Sequence, residues 1–549
     1  MKKKLISTNT KRNVAKVRRR LESEMLTVKL FGEPDRHLSA GEALLLGGQF
    51  LATRQEQLAL QIAQQLNGNF GDIIDVQLLK MRALLSLESL VEAKHVLDLM
   101  LDSAPSNIGV LAVAVQFNIV VGDVDRAFKY IALSERKKPN HIENLLQMAE
   151  CYRLTGDTVR AQKVLRKCLT LIDGRRKKGD EALKLYRGVV FRLAELMELT
   201  PEQINDLESM LALAVEPPDV LAAAAFALAR QASRQERVKE ESALLSQANH
   251  WQAISLGCLE NNAEFQAVRA KHLQMHAEVF ASANPAWLHN FSSNSTVAPI
   301  FILGMPRSGT TLIEQMLGAH SAIGQTGESK ALPEGVVRAY ARHQAGYSLL
   351  DYPQRFDEMP SATLTSMAEY YEEHQKLLTN KKMYLDKELS SFKFVGLAAH
   401  LFPKANFIHM NRAPMDIFLS CYKGSIPGIS ATCNLEHLAI YYIYMKKLIG
   451  HWKKIFPDRL HVLDYADLVD DPEANIRSVV KFLGIDFQAQ MLEFHKRKNV
   501  VRTLSVDQVR KGIYKTSVKK WLPYADMLEP ARKILEQHGI SEEGVLWLD

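Results

Sequence analysis

A spacing of 34 residues recurs through the first part of this 549-residue chain and restricts how that part can fold. The recurring residues are alanines, glycines and prolines: Ala93, Ala127 and Ala161; Gly122 and Gly156; Pro105 and Pro139. A small residue lets two helices pack closely, glycine turns the chain between them, and proline ends the second helix. The pattern predicts an N-terminal α-solenoid, which we place at residues 45–283.

The repeats resemble the tetratricopeptide repeat, which has the same period and the same small and proline positions. The strict period is lost after Ile172, but helical patterning continues, and Thr200 to Gln203 form a predicted capping box with Pro201 in the first helical position. A helical bundle without repeats is the alternative. Stacked repeats offer a concave surface for a peptide, a partner protein or a second copy of the chain, so a homodimer is one expectation.

The net charge of +7 belongs to the start of the chain. Residues 1–20 contain nine Lys or Arg and no acidic residue, so the remaining residues carry a net charge of −2. We therefore treat residues 1–44 as a basic N-terminal segment that could make a weak contact with nucleic acid or anionic lipid; a solvated N-terminus without a partner is the alternative. Nucleic-acid binding by the body of the protein is not expected.

Cysteine content and hydropathy bear on the compartment. Five scattered cysteines are too few for a disulfide framework, and no Cys or His pair has zinc-ligand spacing, so no metal is expected. No apolar stretch reaches the length of about 20 residues that a membrane span needs. The basic start is not followed by an apolar segment, which argues against a secretory signal and favours the cytoplasm.

A Ser-, Asn- and Pro-rich stretch at 284–297 is a predicted linker, and a different pattern begins at residue 298. The apolar strand PIFILG is followed by a turn between Gly304 and Gly309 and then by a predicted helix. This arrangement directs backbone N–H groups and a helix N-terminus at an anion. Thr310 replaces the lysine of nucleotide triphosphatases, and Arg307 lies inside the turn. We predict a phosphate or sulfate loop; another P-loop-like phosphate binder is the alternative.

The segment PIFILGMPRSGTTLIEQML resembles the 5′-phosphosulfate loop of sulfotransferases, and most closely that of tyrosylprotein sulfotransferases and bacterial repeat-bearing sulfotransferases. That family uses 3′-phosphoadenosine 5′-phosphosulfate (PAPS). The resemblance implies that the 5′-phosphosulfate is bound by Arg307, Ser308, Gly309, Thr310 and Thr311. The resemblance extends over about residues 298–525 and implies a P-loop-like α/β domain with a parallel sheet.

A second predicted strand, KANFIHMNR, ends at Arg412, and Ser420 follows eight residues later. An Arg at a strand end and a Ser in the next helix can converge on one phosphate. The spacing is that of the family's 3′-phosphate element, so the resemblance assigns both residues to the 3′-phosphate. It also places Tyr465 and Lys520 near the nucleotide.

The reaction needs a base and groups that stabilise the leaving phosphate. Glu328, in a Gly-Glu segment 21 residues after Arg307, corresponds to the proposed general base of tyrosylprotein sulfotransferases. By the same resemblance Lys387 and Ser505 contact the departing oxygen, and Arg307 completes the catalytic group.

Three positions depart from the family pattern and put the acceptor preference in question. Leu389 and Ser391 stand where bacterial relatives have Pro and Asn, and Ala413 follows Arg412 where Asp is common.

We expect a sulfotransferase that moves a sulfonate group from PAPS to a hydroxyl acceptor, with tyrosine in a peptide or protein as the family precedent. The alternatives are a repeat scaffold whose α/β domain, at 298–549, is a catalytically degenerate nucleotide sensor, and an ATP- or GTP-dependent kinase. Parallel strands are predicted near 299–304, 383–386, 405–411 and 460–465.

Overall fold

The computed structural model describes residues 19–30, 34–53, 55–71, 73–173, 180–258, 261–283, 285, 291, 293–343, 352–354, 356–426, 428–497, 512 and 518–545. The chain divides into two compact units, one of residues 1–151 and 341–346 and the other of residues 152–340 and 347–549. None of the helices within the described ranges is long and apolar enough to cross a membrane.

The first unit begins with a small antiparallel sheet that the sequence analysis did not anticipate. Strand β1 (Met25–Val28) pairs with β2 (Arg36–Ser39), with Met25 opposite Ser39. The side chain of Ser39 then caps the first long helix, because it accepts from the backbone N–H of Glu42 at 3.3 Å. The predicted basic N-terminal segment therefore includes ordered structure in its second half.

Helices occupy most of the chain up to residue 279. They are α1 (Ala40–Ala52), α2 (Glu56–Phe70), α3 (Ile74–Ser86), α4 (Leu90–Ser103), α5 (Ile108–Val120), α6 (Val124–Lys137), α7 (Ile142–Leu154), α8 (Thr158–Asp173), α9 (Asp180–Leu196), α10 (Pro201–Leu213), α11 (Pro218–Arg234), α12 (Val238–Leu256) and α13 (Asn262–Val279). Many consecutive helices pack against each other, among them α1 and α2, α5 and α6, α8 and α9, and α11 and α12.

The recurring residues have the structural roles that the period predicted. Ala93, Ala127 and Ala161 are buried, as residues at close helix contacts must be. Gly122 and Gly156 have φ angles of +81° and +80°, a conformation that strongly favours glycine. The helical stack is therefore confirmed, and the assignment to tetratricopeptide repeats stays a prediction.

The predicted capping box at the start of α10 is present. The Thr200 hydroxyl accepts from the backbone N–H of Gln203 at 3.3 Å, and the Gln203 side chain accepts from the N–H of Thr200 at 2.9 Å. Two first-turn donors are thus satisfied reciprocally.

A five-stranded parallel sheet forms the centre of the second unit. Its strands are β3 (Ala298–Leu303), β4 (Ile323–Gly327), β5 (Met383–Asp386), β6 (Asn406–Asn411) and β7 (Leu460–Asp464), in the order β4-β5-β3-β6-β7. The helices around it are α14 (Thr310–Gly318), α15 (Ala331–His343), α16 (Ser361–Lys376), α17 (Val395–Leu401), α18 (Pro414–Tyr422), α19 (Leu435–Ile455), α20 (Tyr465–Asp470), α21 (Pro472–Leu483) and α22 (Ala525–Gln537).

Both faces of the sheet are buried, which explains why its strands have almost continuous apolar sequences. Along β3, Phe301 and Leu303 belong to one hydrophobic cluster, while Ile300 and Ile302 belong to a cluster on the other face. The four predicted strands are confirmed within a residue or two, and the predicted fold class is confirmed. Strand β4 was not predicted.

The last helices before the sheet share the larger of these clusters. Leu245 of α12, Phe265 of α13 and Phe280 are buried together with Trp452 of α19. The Phe280 and Trp452 rings meet edge to face with centroids 5.6 Å apart. The helices from α11 to α13 and the α/β layers are therefore parts of one core.

Candidate active site

The sheet order determines which predicted site residues can meet. In a parallel sheet the carboxyl ends of all strands lie at one edge, where ligands bind. From β4 to β7, the residues or segments that follow the strand ends are Glu328, Lys387, the 304–309 loop, Arg412 and Tyr465. The loop is therefore central, with Glu328 and Lys387 on one side and Arg412 and Tyr465 on the other.

The turn from β3 into α14 is tight and needs glycine at its end. Gly309 is the N-cap residue of α14 and has a φ of +104°. A Cβ atom at this position would lie 2.5 Å from a ring carbon of Tyr465. Arg307 also has a positive φ, +67°, which is costly for a residue with a side chain. The positive φ angles of Arg307 and Gly309 determine the direction in which the loop's backbone N–H groups and side chains point.

The loop offers hydrogen-bond donors that suit an anion. Ser308 is fully buried, and within the described part of the chain its hydroxyl has no hydrogen-bond partner. Thr310 and Thr311 form the first turn of α14, where the backbone N–H groups point out of the end of the helix. Gly309 has no side chain to cap those groups, so they remain suited to a phosphate or sulfate oxygen.

The two predicted nucleotide-binding elements contact each other directly. The Nε atom of Arg307 donates to the Ser420 hydroxyl at 2.8 Å, and Nη1 of Arg412 donates to the carbonyl oxygen of Arg307 at 2.8 Å. The Arg412 guanidinium also lies over the Tyr465 ring, 4.3 Å from its centroid. Arg307, Arg412, Ser420 and Tyr465 thus form one cationic cluster beside the loop, although Ser420 lies 113 residues from Arg307.

Glu328 and Lys387 form an ion pair on the other side of the loop. The Lys387 Nζ atom is 2.5 Å from Oε1 of Glu328, and the Lys387 backbone N–H donates to the Gly327 carbonyl at 2.8 Å. The Lys387 side chain is 1% exposed, whereas that of Glu328 is 38% exposed. A buried ammonium group and a partly exposed carboxylate therefore lie side by side.

Lys387 remains charged despite its burial. Burial alone lowers the pKa of an ammonium group, but here the nearby carboxylates of Glu328 and Glu314 outweigh it and raise the pKa of Lys387. Glu314 is a buried residue of α14 that the sequence analysis did not single out. The sequence signal that could have found it is that Glu314 is the one acidic residue in the helix sequence TTLIEQMLG.

Asp386 is a second buried carboxyl group at this edge. It accepts from the Tyr371 hydroxyl at 2.8 Å and from the Glu388 backbone N–H at 3.1 Å, and burial raises its pKa to about 7. Asp386 is the last residue of the predicted strand 383–386, and nothing in the local sequence marked it for a role.

Replacing Asp386 by asparagine is expected to change the pH dependence of stability. Because the folded-state pKa is raised, the wild-type carboxyl contributes most below about pH 4, and that contribution is lost as the pH rises to about 7. The quantity to compare is the melting temperature of wild type minus that of Asp386→Asn, measured by calorimetry at two pH values. We expect this difference to be about 5 °C smaller at pH 7.5 than at pH 5. The exposed Asp467→Asn is the control, and a pH-independent difference for Asp386→Asn would contradict the assignment.

The remaining predicted residues are more peripheral. Lys520 is exposed, and the backbone N–H groups of Lys519 and Trp521 on either side of it donate to Asp416 of α18, at 2.8 and 3.4 Å. Ser505 lies outside the described residues. Asp416 was also missed, since it stands four residues after Arg412 with nothing in its local sequence to mark it.

Part of the second unit is similar to a known protein family. Residues 299–489 match the model of the sulfotransferase family. The matched segment contains all the predicted site residues except Ser505 and Lys520.

Individual relatives are distant. An uncharacterized protein of Aquifex aeolicus (strain VF5) is 33% identical over 344 residues, which are 62% of this chain and 44% of that protein. A putative protein-tyrosine sulfotransferase of Caenorhabditis briggsae is 25% identical over 236 residues, 40% of this chain and 80% of that protein. The chain thus spans less than half the length of the Aquifex protein.

Among solved structures, the sulfotransferase domain of the Synechococcus PCC 7002 olefin synthase aligns with a TM-score of 0.32 and 20% identity. The alignment covers 46% of this chain and 96% of that domain.

Proposed function

We propose that this protein transfers a sulfonate group from PAPS to a hydroxyl acceptor and releases adenosine 3′,5′-bisphosphate. The observation that carries the proposal is the placement of the anion loop between two different groups: the Glu328–Lys387 ion pair on one side and the Arg412–Tyr465 pair on the other. PAPS has a 3′-phosphate at one end and a reacting phosphosulfate at the other, so it needs one group that binds the 3′-phosphate and a separate group that acts on the sulfonate.

The chain fits the two anionic ends of the donor. The Ser308 hydroxyl and the first-turn N–H groups of α14 would bind the 5′-phosphosulfate, together with the guanidinium of Arg307. Arg412 and Ser420 would bind the 3′-phosphate, since Ser420 already accepts from Arg307 and Arg412 is held against Tyr465. When bound, PAPS supplies the sulfonate group and a phosphate leaving group.

The ion pair provides the acid–base chemistry of the acceptor side. Glu328, the more exposed partner, would accept the proton of the attacking hydroxyl. Lys387 Nζ, kept charged by the carboxylates around it, would donate to the oxygen on which negative charge accumulates. We also propose a tyrosine hydroxyl in a peptide or protein as the acceptor, on the likeness to the putative protein-tyrosine sulfotransferase of C. briggsae.

Calorimetric titration tests the donor without knowledge of the acceptor. We expect adenosine 3′,5′-bisphosphate to bind at least 100-fold more tightly than ATP with Mg²⁺, since the loop lacks the P-loop lysine at Thr310. Tighter binding of ATP with Mg²⁺ would contradict the proposal and favour a kinase. Transfer of radiolabelled sulfonate to a tyrosine-containing peptide, with a serine-containing peptide beside it, then tests the acceptor.

The variant Arg412→Met tests the 3′-phosphate assignment. Loss of a charge-assisted contact is expected to weaken adenosine 3′,5′-bisphosphate about 50-fold while AMP, which lacks the 3′-phosphate, loses less than threefold. The matched control is Arg477→Met, because Arg477 is an exposed arginine of α21 that pairs with Glu473 of the same helix and lies over the Phe487 ring. Equal losses for the two nucleotides in Arg412→Met would show that Arg412 does not read the 3′-phosphate.

A further inference from the structure

The segment that carries Lys520 is hydrogen-bonded to the first turn of helix α18. The two Asp416 carboxylate oxygens accept from the backbone N–H groups of Lys519 at 2.8 Å and Trp521 at 3.4 Å. Asp416 is buried in the first turn of the helix that also carries Ser420. Lys520 is therefore held between two amides that are bound to the 3′-phosphate helix.

The same segment is fastened a second time by a residue from the helical stack. Glu241 of α12 is 2% exposed, and its Oε2 atom accepts from the Tyr524 hydroxyl at 2.5 Å. Its Oε1 atom lies 2.8 Å from Nζ of Lys423, the residue that directly follows α18. Lys423 in turn donates to the Tyr524 hydroxyl at 2.9 Å and lies over its ring. One buried carboxylate thus joins the end of α18 to the C-terminal segment.

Helix α12 makes two further hydrogen bonds, to the last residue of α18 and to the residues that follow it. The Asn249 side chain donates to the Tyr422 carbonyl at 2.8 Å, and the Gln252 side chain donates to the Ser425 hydroxyl at 2.8 Å. Asn249 and Gln252 are both buried. A polar stripe on α12, outside the residues that match the sulfotransferase family, therefore fixes the C-terminal end of α18.

We propose that Asp416 and Glu241 are positioning residues for the 3′-phosphate: they clamp residues 519–524 onto α18 so that Lys520 and Ser420 face the same phosphate. This inference rests on the proposed function, because it assumes that a 3′-phosphorylated nucleotide is bound. The helical stack then contributes directly to nucleotide selectivity, since Glu241 precedes Tyr524 by 283 residues and belongs to α12.

Because Glu241 is buried, its contacts with Lys423 and Tyr524 affect how firmly the C-terminal segment is held. A buried carboxylate is stable only when it is paired and hydrogen-bonded, so Lys423 and Tyr524 are both required near it. Removing the carboxylate leaves the partly exposed Lys423 able to turn to water and leaves the Tyr524 hydroxyl without its acceptor. The C-terminal segment would then lose its second attachment while the hydrophobic core stays intact.

The test measures the ratio of the dissociation constants for AMP and adenosine 3′,5′-bisphosphate in the full chain. We expect Glu241→Ala and Tyr524→Phe each to lower this ratio about tenfold, with the AMP affinity nearly unchanged. Glu241→Gln keeps the shape and one acceptor, which can bind the Lys423 ammonium group while the amide N–H donates to the Tyr524 hydroxyl, so it should recover part of the ratio. Asp416→Asn offers the Lys519 and Trp521 amides one acceptor instead of two. Its ratio of dissociation constants should therefore lie between that of wild type and that of Glu241→Ala.

The matched control is Glu240→Ala, since Glu240 neighbours Glu241 but is exposed and pairs with Arg237 of the same region. It should leave both affinities unchanged. If Glu241→Ala and Tyr524→Phe weaken both nucleotides equally, or neither, the positioning role is wrong. If wild type does not bind adenosine 3′,5′-bisphosphate at all, the proposed function fails first. Tyr524→Phe retains the aromatic ring and the Glu241–Lys423 pair, so it remains informative if Glu241→Ala does not fold.

Discussion

Replacing Lys387 by methionine is expected to lower kcat for sulfonate transfer about 1000-fold. Lys387 Nζ is a buried ammonium group beside Glu328, and nearby carboxylates raise its pKa, so it is charged when negative charge develops on the leaving group. Methionine has a similar length and suits a buried site, and the Glu328 carboxylate that loses its partner is partly exposed to water. The melting temperature should nevertheless fall by a few degrees, because the buried Glu314 carboxylate also loses this nearby cation.

The measurement is steady-state transfer of radiolabelled sulfonate, with adenosine 3′,5′-bisphosphate affinity measured in parallel. Lys382→Met is the control, because Lys382 is exposed and directly precedes the same strand. A fall in kcat of less than tenfold in Lys387→Met would remove Lys387 from the catalytic group.

Replacing Glu328 by glutamine should have an effect of similar size with a different signature. Glutamine cannot accept the proton of the attacking hydroxyl, so kcat is expected to fall about 1000-fold. The affinity for adenosine 3′,5′-bisphosphate should stay the same or rise, because Lys387 no longer has a carboxylate 2.5 Å away that competes for it. The two variants thus separate a base from a group that binds the leaving phosphate.

The affinity for adenosine 3′,5′-bisphosphate is the second readout for Glu328→Gln, because a base that acts on the acceptor hydroxyl is not needed for nucleotide binding. Glu373→Gln, an exposed position on α16, is the control and should retain full activity. Full activity in Glu328→Gln would contradict the assignment, and absence of turnover in wild type with any hydroxyl acceptor would favour the scaffold alternative.

Features that depend on nearby residues could be predicted from the sequence. The turns at Gly122 and Gly156 and the capping box at Thr200 follow from the conformational freedom of glycine and from hydrogen bonds that span three residues. The long apolar strands β3 and β6 were also evident, because a strand buried on both faces has a continuous apolar sequence.

Strand β4 could not be predicted, because its sequence IGQTG has two glycines and two polar residues. It exists because it pairs with β5 in the sheet, which is tertiary structure overriding local preference. Pairings across long sequence separations were equally hidden. Glu328 and Lys387 were brought together only by resemblance to a family, and nothing in the sequence connected Glu241 with Tyr524.

The shared core of helices α11 to α13 and the α/β layers has a practical consequence for recombinant work. A polypeptide that starts at Ala298 would leave the Trp452 and Gly396 surface facing water, since Phe280 packs on that surface so closely that a Cβ on Gly396 would lie 2.6 Å from its ring. Exposed apolar surface of this kind promotes aggregation. Boundaries for a soluble catalytic fragment should therefore be drawn ahead of α11, well before the point at which the family match begins.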